Sequence, residues 1–231
     1  MASIFFYVLL YSMKYRYDID SLSDVPPVDA TPVIQNCVAT FSLGVKNINL
    51  KALALRLKFC DYNPQRFAAM TMRLCKPKTT ALAFGSGNMV CTGSKKVSEC
   101  LLACRKYVRI LQRAGVRVCF HKFRIQNIVA SVSVGCPLKL YEMSLEHGAN
   151  VSYEPELFPG LVLRIIKPKI VFLLFRSGKI VITGAKNIRE INNTYSKVFH
   201  HFIKPFFDTE DSSTSSAKYK LTVKKKRSGT I

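Results

Sequence analysis

Thr79-Thr-Ala-Leu-Ala-Phe-Gly-Ser-Gly-Asn-Met-Val-Cys-Thr-Gly-Ser-Lys95 reads as two strands around a tight turn, with apolar residues on both alternating faces. The same hairpin returns as Ile170-Val-Phe-Leu-Leu-Phe-Arg-Ser-Gly-Lys-Ile-Val-Ile-Thr-Gly-Ala-Lys186. Phe84, Ser86, Gly87, Val90, Thr92, Gly93 and Lys95 recur 91 residues later as Phe175, Ser177, Gly178, Val181, Thr183, Gly184 and Lys186. Outward from the hairpins the offset holds without an insertion. It matches Gln35-Asn36 with Gln126-Asn127, Tyr62 with Tyr153, Pro64 with Pro155, Phe67 with Phe158, Arg73 with Arg164, and Lys76-Pro-Lys78 with Lys167-Pro-Lys169. Two copies are too few for a solenoid and suit two fused half-domains. The expected division is an N-terminal extension 1–32, a first repeat 33–123, a second repeat 124–207 and a Ser/Thr-rich then basic tail 208–231.

The chain has 231 residues, of which 48% are hydrophobic, enough for a buried core despite a net charge of +21. Residues 32–205 hold 27 of the 35 basic residues and 7 of the 14 acidic ones, a net charge of +20. A folded unit so charged repels itself unless a polyanion is its usual neighbour, which points to nucleic acid; loose RNA or membrane binding would use the same charge. The 8 cysteines show no C-x-x-C and no His at ligand spacing, so no zinc site is expected. They read instead as small buried hydrophobes in a reducing compartment. Ile4–Tyr11 is apolar but too short to span a membrane and lacks a basic leader, so an arm is expected there. Asp18–Pro32 reads as an acidic, proline-punctuated linker, and Lys224-Lys-Lys-Arg227 as a nuclear-import signal, an extra phosphate contact or simply solvated charge.

Along the first repeat, Gln35–Phe41 alternates as a strand, and Asn49 is placed to cap a short helix over Leu50–Leu57. A turn at Tyr62–Phe67 enters a strand through Met70–Cys75, and the hairpin follows. Lys95–Gln112 predicts a long helix with Val97, Leu101, Cys104, Val108 and Leu111 facing the core. Val116–Phe123 is expected to return as a strand. In the second repeat Asn187–Lys204 predicts the matching helix, with Ile188, Ile191, Tyr195, Val198 and Phe202 inward and Pro205 ending it.

Five strands and two helices per repeat leave one face of each antiparallel sheet without helices, and that face should be polar. It is not: Asn36, Val38, Leu82, Phe84, Val90 and Thr92 share one face of the first repeat, and Asn127, Val129, Leu173, Phe175, Val181 and Thr183 share its counterpart. An apolar face of this extent calls for a partner. Another sheet or a second copy would cover it. The basic charge around it favours a DNA minor groove, which is apolar along its sugar walls and anionic at its phosphates.

At these residues the chain resembles the TATA-box-binding protein family, over about Val33–Phe206. The resemblance is carried by Gln35-Asn36, Tyr62-Asn-Pro-x-Arg-Phe67-Ala-Ala, Thr79-Thr-Ala-Leu, Met89-Val-Cys-Thr-Gly93, Arg124-Ile-Gln-Asn127, Tyr153-Glu-Pro-Glu-Leu-Phe-Pro-Gly160, Ile166-Lys-Pro168 and Thr183-Gly-Ala-Lys186. It implies an α+β, pseudo-two-fold saddle, a ten-stranded curved antiparallel sheet with four helices on its convex face. By resemblance Phe67, Phe84, Phe158 and Phe175 wedge into DNA, while Asn36, Asn127, Thr92 and Thr183 hydrogen-bond base edges. Val38, Leu82, Val90, Val129, Leu173 and Val181 form the apolar floor, with Arg66, Arg73, Lys78, Lys95, Arg164, Lys169, Lys179 and Lys186 at the phosphates.

The chemistry of A·T pairs agrees with that assignment. They show only acceptors in the minor groove, which Asn and Thr donors satisfy, whereas G·C adds an amino group that a valine floor cannot accept from. Choice among A/T sequences falls to deformability, because TA steps unstack easily. Asn88 departs from the family, which usually has Lys there, and the helix from Ser94 lacks an acidic run. The resemblance implies promoter DNA, transcription factor IIB, transcription factor IIA and TATA-box-binding-protein-associated factors as partners, and a nuclear location. A regulatory paralogue that docks to basal factors without strong TATA preference is the alternative. The two repeats differ at one loop, where Asn63-Pro-Gln-Arg66 becomes Glu154-Pro-Glu-Leu157, and Glu154, Glu156 and Leu157 are the expected partner contacts. No phosphate-binding loop, nucleophile elbow or metal-ligand cluster is present, and neither catalysis nor a cofactor is expected.

Overall fold

In the computed structural model, residues 17–19, 22, 28–148 and 150–208 are described, so Ile4–Tyr11 and Lys224–Arg227 lie outside the described residues. The chain divides into two compact units, residues 34–129 and the residues flanking them. The first holds β1 (Val33–Ser42), α1 (Leu50–Arg56), β2 (Cys60–Asp61), β3 (Ala69–Cys75), β4 (Lys78–Phe84), β5 (Asn88–Ser94) and α2 (Val97–Arg113). Its strands lie side by side in the order β2-β3-β4-β5-β1, each pair antiparallel. The second repeat contributes β6 (His121–Ser133), α3 (Leu140–Glu146), β7 (Val151–Ser152), β8 (Gly160–Ile165), β9 (Ile170–Phe175), β10 (Lys179–Ala185) and α4 (Ile188–Val198). These strands follow the order β6-β10-β9-β8-β7, the repeat of the first arrangement.

The hairpin turns work as the glycines require. Gly87 and Gly178 have φ +83 and +77, and a Cβ at either would run into a backbone carbonyl, that of Val45 or of Cys136. Their amides close the turns onto Phe84 and Phe175, both at 2.9 Å. Left-handed backbone in close contact with another chain segment leaves glycine as the workable residue. Asn49 caps α1 as expected, its Oδ1 accepting from Ala52 N at 3.0 Å.

Alternation sends one side of each sheet into the core. In the first unit Cys37, Ala39, Ala81, Ala83, Met89 and Cys91 are at most 1% exposed, and α2 packs on β4 and β5. The buried stripe of α2 is Cys100, Ala103, Cys104, Tyr107, Val108 and Leu111, one position away from the expected stripe at its start: Val97 is 36% exposed and Leu101 half-buried. Tyr107 decides the rotation. Its hydroxyl donates to Thr79 O at 2.9 Å and lies 3.2 Å from Thr79 Oγ1, which pins the helix to the first residues of β4. Burial raises its pKa to about 12.

Three further departures have local causes. Residues 116–120 are not strand, and β6 instead runs unbroken from His121 to Ser133, through the start of the second repeat. The last helix is α-helical only to Val198, then widens into a π-turn over Phe199–Ile203 and tightens into a 3-10 turn over Lys204–Phe206 that holds Pro205. Phe202, Ile203 and Phe206 are all buried, so the widened turn keeps three large apolar side chains in the core. The segment read as a linker is docked at its start. Tyr17 forms a parallel bridge to Ile165, donating to Arg164 O at 2.8 Å and accepting from Ile166 N at 2.9 Å. Its ring meets Phe202 edge-on at 4.6 Å, Ile19 is 4% exposed, and Lys197 Nζ donates to Leu22 O at 3.3 Å.

Candidate nucleic-acid interface

The alternate residues of the same strands form the other face of each sheet, and they stay partly exposed. Asn36, Val38, Leu82, Phe84, Val90 and Thr92 are all half-buried. In the second repeat Asn127, Val129, Phe175 and Val181 are half-buried, whereas Leu173 and Thr183 are closed in to 6% and 8% exposure. Strand register lays these side chains out in rows. Thr71, Leu82, Val90 and Thr40 stand opposite one another across β3, β4, β5 and β1, and Val162, Leu173 and Val181 repeat the row across β8, β9 and β10. A second row, Arg73, Thr80 and Thr92, is answered by Arg164, Val171 and Thr183.

Thr71, Thr80, Val162 and Val171 join these rows and are not among the residues expected from the sequence. Alternation with Leu82 and Leu173 was the signal for Thr80 and Val171, whereas the offset of 91 pairs Thr71 with Val162 without assigning their face. Val162, 5% exposed, is bulkier than Thr71 at the same place and helps close in Leu173.

Asn36 is held by its own sheet. Its Oδ1 accepts from Gly93 N at 2.8 Å and from the Thr92 hydroxyl at 3.2 Å. With the oxygen committed, the amide N–H groups are what Asn36 offers to a ligand, and donors are what an A·T minor-groove edge can use. The Thr92 hydroxyl lies in the same network and can rotate to donate outward.

The four phenylalanines come together as two pairs. Phe67 and Phe84 have ring centroids 6.3 Å apart at 68°, and Phe158 and Phe175 are 5.9 Å apart at 66°. Identical turns place the first member of each pair: Phe67 N donates to Asn63 O and Phe158 N to Glu154 O, both at 2.9 Å. Phe84 and Phe175 end β4 and β9 opposite Ala69 and Gly160. A Cβ on Gly160 would sit 2.7 Å from the Phe158 ring and 3.1 Å from the Phe175 ring, so the missing side chain makes room for the second pair.

Arg66, Arg73, Lys78, Lys95, Lys169, Lys179 and Lys186 are exposed and Arg164 is half-buried. Glu154, Glu156 and Leu157 stand out from the turn before β8, with Leu157 62% exposed. Burial against Phe202 and Phe206 lowers the His147 pKa, as suits a packed ring.

Comparison with known proteins agrees with this geometry. Residues 31–114 and 122–204 each match the family described as transcription factor TFIID, or TATA-binding protein. The chain is 51% identical over 168 residues to the TATA-box-binding protein of Saccharomyces cerevisiae, covering 73% of this chain and 70% of that one. It is 51% identical over 173 residues to TATA-box-binding protein 1 of Triticum aestivum, covering 75% and 74% respectively. Among solved structures, the TATA-binding protein of Methanococcus jannaschii superposes with a TM-score of 0.67 at 37% identity, over 74% of this chain and 97% of that one. The fold and its paired faces thus define a tandem-repeat α+β protein of ten antiparallel strands and four helices. The chain belongs to the TATA-binding protein family.

Proposed function

We propose that the chain is a general transcription initiation factor of the nucleus that binds A/T-rich promoter DNA in the minor groove, bends it and recruits basal factors. The observation that carries this reading is the partly exposed apolar face, present in both repeats and ended in each by a phenylalanine pair. Apolar wedges inserted between base steps kink a duplex, for which this family is the standing example. Bending a site costs on the order of 1–10 kcal/mol, and burying four phenylalanines at roughly 1.5–3 kcal/mol each is of comparable size. The valine and threonine rows and the basic rim supply the surplus. Titration of a labelled A/T duplex containing a TA step against a G/C duplex at fixed salt tests the reading, with end-to-end fluorescence transfer reporting the bend. Equal affinity for both would overturn it.

The repeats present nearly the same floor, so the direction of binding has to come from where they differ. Glu154, Glu156 and the exposed Leu157 put two carboxylates and an apolar side chain at one turn of a basic protein, which suits a basic partner with an apolar pocket. By family resemblance that partner is transcription factor IIB, with transcription factor IIA and the associated factors docking elsewhere. Glu154→Arg or Glu156→Arg is expected to abolish the ternary complex with transcription factor IIB and leave A/T binding within about twofold. A supershift at wild-type concentrations decides it.

A further inference from the structure

Three of the eight cysteines meet in the core of the first unit, although nothing in their spacing announces it. Cys91 comes from the inward side of β5, and Cys100 and Cys104 come from successive turns of α2 packed over it. All three are 0% exposed, and their sulfur atoms lie within 4.8 Å of one another. The floor of the interface is on the other side of the sheet, so the function proposed above does not use them.

The donor set is uniform and incomplete in an informative way. Three sulfurs converge, and among the described residues no His, Asp or Glu joins them. Structural zinc takes four ligands, with sulfur at about 2.3 Å. Three sulfurs at that distance from a central ion would stand roughly 4 Å apart in a plane, so the cluster needs only a small contraction. Thiolate-only donors select soft d10 ions, and a site with three of them, sealed from water, suits a monovalent ion better than a divalent one.

The surroundings can carry the negative charge of thiolates. Cys100 lies one turn into α2, at the positive end of a 17-residue helix, inside a unit rich in Lys and Arg. The Ser94 hydroxyl, 2% exposed, has no oxygen or nitrogen partner and lies against the thiols of Cys37 and Cys100. The matching positions of the second repeat are the buried Ile182, Ile191 and Tyr195, which offer no sulfur.

We infer that Cys91, Cys100 and Cys104 form a buried three-thiolate site for copper(I). Binding exchanges the thiol protons for the ion, so loading releases up to three protons. The test uses the full chain, reduced and metal-free, titrated anaerobically with copper(I) against a chromogenic chelator. One equivalent is expected to stay bound through desalting, with thiolate-to-metal charge-transfer absorption in the ultraviolet. Cys100→Ser and Cys104→Ala should each lose that equivalent, while Cys75→Ser and Cys119→Ser, at exposed thiols, should keep it.

Alkylation of the wild-type chain followed by peptide mass spectrometry provides a readout that does not depend on any variant folding. Copper is expected to protect Cys91, Cys100 and Cys104 together. Protection centred on Cys75 or Cys119, a disulfide within the trio in place of bound metal, or preferential uptake of zinc with Cys37 as a fourth ligand would each overturn the inference. A/T duplex binding is measured on the same samples, and its loss without loss of copper would count against the proposed function alone.

Discussion

The two repeats share a backbone and have solved their cores differently. On the buried side of the sheet, Cys37, Ala39, Ala81, Ala83, Met89 and Cys91 of the first repeat become Ile128, Ala130, Phe172, Leu174, Ile180 and Ile182 of the second. On the partly exposed side Asn36, Val38, Leu82, Phe84, Val90 and Thr92 recur unchanged as Asn127, Val129, Leu173, Phe175, Val181 and Thr183. Interior packing asks for a filled volume, which small and sulfur-bearing side chains under one helix can supply as well as hydrocarbon under another. On the proposed function the open face fits DNA in both halves, and at these six positions the residue types themselves are repeated. The contrast separates what the fold needs from what the ligand needs.

The largest expected effect comes from breaking the core side of this contrast. Phe172→Ala removes a fully buried ring and should cost about 3–5 kcal/mol. The reciprocal Ala81→Phe should overpack the first repeat and cost roughly 1–3 kcal/mol. Denaturant melts measure both; if the two substitutions proved equally mild, the cores would be looser than their burial indicates.

A smaller loss tests the open side. Phe84→Ala and Phe175→Ala should each weaken A/T binding by about 1.5–3 kcal/mol, or roughly 10- to 150-fold, and reduce the bend. Stability should change less than in Phe172→Ala, since both rings are part-exposed. An unchanged bend in both variants would remove them from the role of wedges.

The smallest effect sharpens one of the places where the open faces diverge, Ala69 against Gly160. Gly160→Ala should change stability by no more than about 1 kcal/mol but push the Phe158 and Phe175 rings apart. Ala69→Gly should leave the first pair where it is. Fluorescence transfer on A/T DNA is expected to show a reduced bend for the first variant only.

Much of this was legible in the sequence, and the reason is the repeat. An uninterrupted offset fixes equivalent positions, and strand alternation then sorts them into faces, so both hairpins and most of the residues sharing the open face along β1, β4, β5, β6, β9 and β10 could be read directly. The row positions on β3 and β8 could not. Which face Thr71 or Val162 joins depends on its register with β4 or β9, and that is set only when the strands pair. The cysteine cluster was hidden for a related reason. Cys91 meets Cys100 and Cys104 through the packing of a helix on a strand, and the rotation of that helix is fixed by Tyr107 reaching Thr79 rather than by its own hydrophobic spacing.

The docking of Tyr17 bears on how the protein behaves in solution. β7 covers only Leu163 and Val162 of β8, which would leave the backbone of Arg164 and Ile166 as an unpaired edge able to recruit a strand from another molecule. Tyr17 takes up hydrogen bonds of both residues in a parallel bridge, so it occupies the place where a strand of a second molecule would add. Removing Tyr17 would therefore be felt first as self-association through β8.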